Sequence, residues 1–256
     1  MTFPRAHWQM KRIGIWLYQI YVWLFFYPVG FLVTLLFGWT TVIVSMIWTP
    51  RIASRYIAAT WARVICWMTP VRVTVEGAEN ADPLKTYVVV CNHQSQYDIM
   101  LVYGWLKLDL KWVLKKELRK IPGVGIGCEK AGHIYVDRSK PEMARKAVRD
   151  ALDSVGDGVG MLFFPEGTRS LSGKMGAFKK GAFRMAASQK LPILPVTLIG
   201  TRDIQKAKSL VIVPGKMHMV IHPAIEVSGE DEPEAIRELM TKTRQAIGSS
   251  LPPEFR

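Results

Sequence analysis

From residue 13 to residue 50 the chain carries no charged side chain, and the run is dense in Trp, Tyr, Phe, Leu, Ile and Val. As one straight helix it would reach about 57 Å, nearly twice a hydrocarbon core of roughly 30 Å. Pro28 and Gly30 stand near its middle, where a missing backbone donor and a flexible backbone admit a break. The pattern predicts two helices of about 15–18 residues, as a re-entrant or shallow hairpin or as two short spans. Lys11 and Arg12 precede the run, and Arg51, Arg55 and Arg63 follow it. If basic flanks stay cytoplasmic, both ends lie on one side. The aromatic residues Trp16, Tyr18, Tyr21, Trp23, Phe25, Phe26, Tyr27, Trp39 and Trp48 suit the headgroup interface. The expectation is an N-terminal hydrophobic membrane-anchoring segment over 1–65, followed by an α/β domain over 66–256.

After Pro70 short apolar runs alternate with amphipathic stretches. VRVTVE (71–76) alternates with period two, as a half-exposed strand does, whereas YVVVC (87–91) is continuous, as in a strand covered on both faces. LKWVL (110–114), HIYV (133–136), VGMLFF (159–164), LPILPVTLI (191–199) and MHMVIH (217–222) are further strand candidates. Pro192 and Pro195 weaken the reading of a regular central strand at 191–199. Helical patterns lie at about 98–107, 141–155, 177–189 and 232–247. Strand and helix in alternation predict a mixed, mainly parallel sheet flanked by helices. The closing SSLPPEFR (249–256) reads as a loose tail.

The net charge is +13 and the isoelectric point near 9.8, which suits nucleic acid, an anionic membrane or an acidic protein equally. Its distribution is more selective. From Met1 to Val75 there is no acidic residue, while basic residues flank the apolar run, so lipid headgroups come before DNA. Nucleic-acid binding is disfavoured, because no recognised motif for it is present. Cys66, Cys91 and Cys128 are odd in number and widely spaced. They support neither a disulfide framework nor a zinc site, so a reducing cytosolic setting is expected for the main domain. The apolar run is too long for a signal-peptide core, and no A-x-A-like cleavage site follows it.

Polar motifs stand where strands end and helices begin, the usual place for sites in such sheets. In YVVVCNHQSQYDIM, His93 follows a buried strand and Asp98 comes five residues later. A turn there folds the carboxylate onto one ring nitrogen and leaves the other to accept a proton. A hydrogen-bonded turn histidine with Asp98 as a helix cap is the plainer reading of the same residues. In LFFPEGTRS (162–170), Gly167 permits close backbone approach and Arg169 offers a fork suited to a phosphate. The plainer reading there is a strand-to-loop turn with an internal Glu–Arg pair. KWVLKKELRK (111–120) and the Asp137–Arg138 pair closing HIYVDR supply Lys115, Lys116 and Arg138 as further phosphate-binding candidates. Most such lysines, including those of FKKGAF (178–183), are merely solvated.

The ordered set NHQSQYD, KKEL, YVDR, FPEGTRS and LPILPV resembles the 1-acylglycerol-3-phosphate acyltransferase family over roughly residues 65–225, and the N-terminal apolar segment resembles the anchoring helices of its bacterial members. The resemblance implies transfer of a fatty acyl group from acyl-CoA or acyl-ACP to the sn-2 hydroxyl of lysophosphatidic acid. It implies an HX4D pair at His93 and Asp98, and a phosphate site drawn from Lys115 or Lys116, Arg138 and the run Glu166, Gly167, Thr168 and Arg169. The family's fourth-block proline falls on Pro195. No metal and no cofactor beyond the thioester co-substrate is implied, and oligomeric state is left open. The implied location is a membrane, the bacterial inner membrane, with the catalytic domain on its cytoplasmic face. Leu114 stands where relatives often carry a small residue, which leaves both lysines in contention. Glu166 is expected to position Arg169 or to bind a glycerol hydroxyl. Alternatives are a different lysolipid acceptor, an acyl-enzyme route through Cys91, and a non-catalytic lipid-binding protein of the same fold.

Overall fold

The computed structural model describes residues 14–121, 123–137, 143, 146–147, 149–150, 157–227 and 232–256. It opens with a single helix, α1 (Gly14–Ile47), of 34 residues. The expected break at Pro28 and Gly30 is absent. Residues Val22–Phe26 form a wide π-helical turn, closed by the Tyr27 amide on the Val22 carbonyl. Proline removes one hydrogen bond and crowds the carbonyl four residues back; an extra residue in the preceding turn shifts that carbonyl aside and the helix continues. The chain turns instead at Trp48–Thr49. Thr49 accepts the Ile52 amide through its hydroxyl and Pro50 takes the first helical position, an ordinary N-terminal start. The second helix, α2, runs from Pro50–Ile52 through a π-turn at Ala53–Ile57 into Ala58–Met68. Residue 65, where the sequence divides anchor from domain, lies inside α2.

Among the described residues α1 is the one helix long and apolar enough to cross a membrane, and only 17% of its most apolar window is buried. Trp16, Leu24, Leu32, Leu36 and Met46 face outward. The rest of α1 is joined to the domain. Gln19 donates to the Ile212 carbonyl at 2.8 Å, and Tyr21 donates to the Met68 carbonyl at 2.9 Å. Farther along, α1 crosses α4 (Val124–Lys130) on a glycine seam. A Cβ on Gly38 would lie 2.6 Å from the Gly123 carbonyl oxygen, and one on Gly127 would lie 3.0 Å from the Gly38 carbonyl oxygen. Any side chain at Gly38 would push the two backbones apart.

Among the described residues seven strands form the sheet: β1 (Val71–Glu76), β2 (Tyr87–Cys91), β3 (Asp109–Lys115), β4 (Ile134–Val136), β5 (Val159–Phe163), β6 (Ile193–Ile199) and β7 (Gly215–Ile221). Their order is β1-β7-β6-β2-β5-β3-β4, parallel throughout except where β6 meets β7. The expected mixed, mainly parallel sheet is present. YVVVC, flanked by β5 and β6, is buried at every position. β6 is an internal strand despite its proline. Pro195 pairs with Val90 of β2, and its carbonyl accepts the His222 amide. The antiparallel ladder with β7 begins only at Val196, so the missing N–H falls where β7 has ended.

One face of the sheet packs against α1, α2 and α3 (Tyr97–Trp105), in a core that includes Phe26, Ile65, Leu101, Leu110 and Leu194. The other face packs against α5 (Gly181–Gln189) and α7 (Pro233–Ser250), around Phe183, Ile193, Ile236 and Ile247; a short helix α6 (Thr201–Ile204) follows β6. Most of the helix expected over 141–155 lies outside the described residues, and the described ones, 143, 146–147 and 149–150, are helical. The closing residues are not loose. Pro253–Phe255 form a helical turn, and the Phe255 carbonyl accepts the Met175 amide at 2.9 Å.

Candidate active site

Because β2, β5, β3 and β4 are parallel neighbours, their carboxyl ends share one edge of the sheet. His93 follows β2, Glu166 follows β5, Lys115 ends β3, and Asp137 follows β4. Asn92 stops β2 by continuing its ladder with a side chain. Its amide donates to the Leu198 carbonyl at 2.9 Å and its oxygen accepts the Leu198 amide at 2.8 Å. The next residues curl tightly at the start of α3. Asp98, fully buried, receives three donors on Oδ2: the Gln94 amide at 2.7 Å, the Ser95 amide at 2.8 Å and the His93 ring at 2.8 Å through Nδ1. An ionised carboxylate so placed assigns the proton to Nδ1 and leaves Nε2 as the acceptor. The ring lies flat on Phe164, centroids 3.8 Å apart, with its side chain 14% exposed. The imidazole is therefore fixed at one nitrogen, packed on one face and reached by solvent only over a small part of its surface.

The EGTR turn sits directly against this loop. Phe164 to Gly167 close a turn through the Gly167 amide, and Gly167 has a φ of +77°, which a side chain would strain. Glu166 is buried and accepts two backbone amides: His93 at 2.8 Å on Oε1 and Gly176 at 2.8 Å on Oε2. Burial pushes its pKa up, and these two amides pull against that shift. The carboxylate is thus a strut between two loops, whereas the sequence had offered it either to Arg169 or to a glycerol hydroxyl. Arg169 instead donates to the Gln96 side chain at 3.3 Å, and the Ser170 amide donates to the His93 carbonyl at 2.8 Å. Thr168 is exposed beside it. Lys179 stands over the turn, its Nζ 2.6 Å from where a Cβ on Gly167 would be. That cation belongs to the FKKGAF stretch, read from sequence as solvated; only its approach to Gly167 distinguishes it.

Lys115, the last residue of β3, and Lys116, which follows it, are not drawn into this cluster. Lys115 lies 3.6 Å from Glu117 and Lys116 lies 3.2 Å from the half-buried Asp137, with both lysines exposed. Arg138 lies outside the described residues. Cys91 is fully buried, and burial, with the charge of Asp98 second, pushes its thiol pKa well up, away from nucleophilic use. An apolar cavity of about 270 Å³ opens beside the loop. It lies between α1, α2 and α3, with Gly30, Thr34, Trp61, Tyr97 and Met100 among its walls and Gln96 at its rim. Gln96 therefore links the apolar cavity to Arg169. It lies inside the NHQSQYD motif, but nothing in its position there distinguishes it from its neighbours.

The family model described as Acyltransferase matches residues 72–199. A 1-acyl-sn-glycerol-3-phosphate acyltransferase of Chlamydomonas reinhardtii is 35% identical over 209 residues, which cover 80% of this chain and 60% of that protein. One of Pseudomonas aeruginosa is 33% identical over 206 residues, covering 78% of this chain and 79% of that protein. The crystal structure of the 1-acyl-sn-glycerophosphate acyltransferase PlsC from Thermotoga maritima superposes with a TM-score of 0.77 at 27% identity, over 92% of this chain and 97% of that one.

Proposed function

This chain belongs to the 1-acyl-sn-glycerol-3-phosphate acyltransferase family, and on that premise we propose that it moves a fatty acyl group from an acyl thioester to the sn-2 hydroxyl of lysophosphatidic acid, giving phosphatidic acid. The observation that carries the proposal is the His93–Asp98 contact of 2.8 Å, with the second ring nitrogen left to meet an acceptor alcohol. His93 Nε2 takes the hydroxyl proton as the oxygen attacks the thioester carbonyl. The tetrahedral adduct collapses, the C–S bond breaks, and the imidazolium returns the proton to the departing thiolate. Asp98 holds the ring and stabilises its charged form. No covalent acyl-enzyme enters this route, in keeping with the buried Cys91.

Arg169, with Lys179 beside the same turn, supplies the positive charge for the acceptor phosphate. Lys115 and Lys116 add charge where β3 ends and, together with Arg138 of the same family motif set, draw in the anionic acceptor and the acidic donor, either coenzyme A or acyl carrier protein. The apolar cavity at Gln96 suits a fatty acyl chain whose carbonyl end reaches the His93 loop. The exposed apolar side of α1 suits a bilayer, which already holds the acyl chains of acceptor and product.

The test is purified protein with lysophosphatidic acid and an acyl thioester, following phosphatidic acid and free thiol together. Equal amounts of both are expected, and His93→Ala should abolish them while vesicle association persists. Thiol release without lipid product, or substantial turnover by His93→Ala, would end this reading. A lysophospholipid with a larger headgroup, assayed alongside, decides between acceptors.

A further inference from the structure

The carboxylate that braces the His93 loop is itself held from the far side of the molecule. Glu166 accepts the His93 amide on one oxygen and the Gly176 amide on the other. The peptide carrying Gly176 is gripped in turn by Arg244 of α7, whose guanidinium donates to the Gly176 carbonyl and, at 2.8 Å, to the Met175 carbonyl. The same guanidinium lies over the Phe178 ring at 5.4 Å. Among the described residues it meets no carboxylate, so a full positive charge is given to two consecutive peptide oxygens. A planar fork spans such a pair where a lysine reaches only one. The Phe255 carbonyl adds a third hold on this segment through the Met175 amide, and Gln94 donates to the Gly173 carbonyl at 2.7 Å. The segment from Gly173 to Gly176 is thus bonded at one end to the residue after His93 and at the other to Glu166.

We infer that Arg244, which lies beyond the residues 72–199 matched by the family model, is a positioning residue for the reaction: it fixes the 175–176 peptides, which fix Glu166, which fixes the backbone of His93. It touches neither substrate nor reacting atoms. The inference rests on His93 being the base, and the experiment separates the two. Misplacing a catalytic group by about 1 Å costs on the order of 100-fold, so a loosened brace should lower turnover by about tenfold while acceptor binding holds.

The full-length chain is assayed as wild type, Arg244→Ala, Glu166→Gln and the double variant, with kcat and KM for lysophosphatidic acid measured separately. Glu166→Gln puts an amide NH2 where one backbone N–H now finds an acceptor, and so breaks the same path. Arg244→Ala is expected to lower kcat about tenfold with KM within about twofold. In the Glu166→Gln background it is expected to cost less than about twofold more, because the path is already cut. Full additivity in the double variant, a loss confined to KM, or an unchanged kcat each overturn the inference. If Arg244→Ala does not fold, Arg244→Lys takes its place. It keeps one carbonyl contact, should lose about threefold in kcat, and should lose nothing further beside Glu166→Gln. His93→Ala in the same series reports on the base alone. Residual activity there sinks the base assignment whatever the cycle returns, and additivity in the cycle sinks the Arg244 role even if His93→Ala is inactive.

Discussion

Replacing Asp98 by Asn changes one oxygen to nitrogen and removes one charge. In the wild type a single oxygen, Oδ2, takes the His93 ring and the Gln94 and Ser95 amides, while the buried Oδ1 has no partner. The asparagine oxygen must stay on the three donors, which keeps His93 in the same tautomer. On the proposed mechanism, what is lost is the charge facing the imidazolium that forms as the alcohol attacks. A charge-assisted hydrogen bond contributes roughly 1.5–3 kcal/mol against about 1 for a neutral one. Two unit charges about 4 Å apart at an effective dielectric near 20 attract by about 4 kcal/mol. Taken at its upper end, as suits a fully buried carboxylate, the hydrogen-bond difference is about 2 kcal/mol, and with the Coulomb figure it brackets a loss of about 2–4 kcal/mol in the transition state, or roughly 30- to 1000-fold in kcat. The new NH2 then occupies the place of Oδ1 without an acceptor, which costs about 1–3 kcal/mol of stability. The assay follows thiol release with saturating acyl thioester and lysophosphatidic acid. Thermal unfolding measures the stability cost, and intact mass verifies that the amide has not deamidated. A folded Asp98→Asn enzyme within about threefold of wild-type kcat would refute the charge argument and leave Asp98 as a helix cap.

Arg169→Ala should lose more against a phosphate-bearing acceptor than against a monoacylglycerol, by about tenfold in the ratio of kcat/KM, as expected for one charged contact; equal losses would remove its phosphate role. Gly30→Leu should shift donor preference toward shorter acyl chains, because Gly30 lines the apolar cavity and a Cβ there meets nothing nearer than Ile65 at 3.8 Å. An unchanged chain-length profile, read by mass spectrometry of the products, would place the acyl chain elsewhere. His133 is buried, hydrogen-bonded to Tyr103 and to the Trp112 amide, and its pKa is pushed down to about 3, by burial first and then by Lys111. Its folded pKa is depressed, so its neutral form supports the fold above the unfolded value near 6.5, and that support drains away as pH falls from there toward 3. Denaturant midpoints should therefore fall more steeply with acid in the wild type than in His133→Asn, and parallel curves would contradict this.

The sheet was legible because buried strands write themselves as apolar runs, as YVVVC does, and the His93–Asp98 pair because its five-residue spacing is met by a tight turn. What escaped depends on three-dimensional detail. Pro28 looks like a breaker until the π-turn at Val22–Phe26 absorbs it. Pro195 looks unfit for a central strand until β7 is seen to stop before it. SSLPPEFR has the composition of a loose end, yet the Phe255 carbonyl finds an amide 80 residues earlier in the chain. Glu166 was offered to Arg169 or to a glycerol hydroxyl, and its carboxylate accepts amides brought from the loop after β2 and from the 176 segment. Arg244 sits in no motif at all, because a contact with two carbonyls leaves no mark in residue spacing.

The glycine seam between α1 and α4 bears on how the proposed bilayer contact of α1 would be felt in the catalytic domain. With Gly38 pressed against Gly123 and Gly127 there is no slack between the apolar helix and the catalytic body, so the two tilt together. A thinner or thicker bilayer, in changing the inclination of α1, would raise or lower the catalytic pocket relative to the phosphates it must reach. On that proposed seating, turnover would follow bilayer thickness, and a bulky residue at position 38 would loosen the dependence.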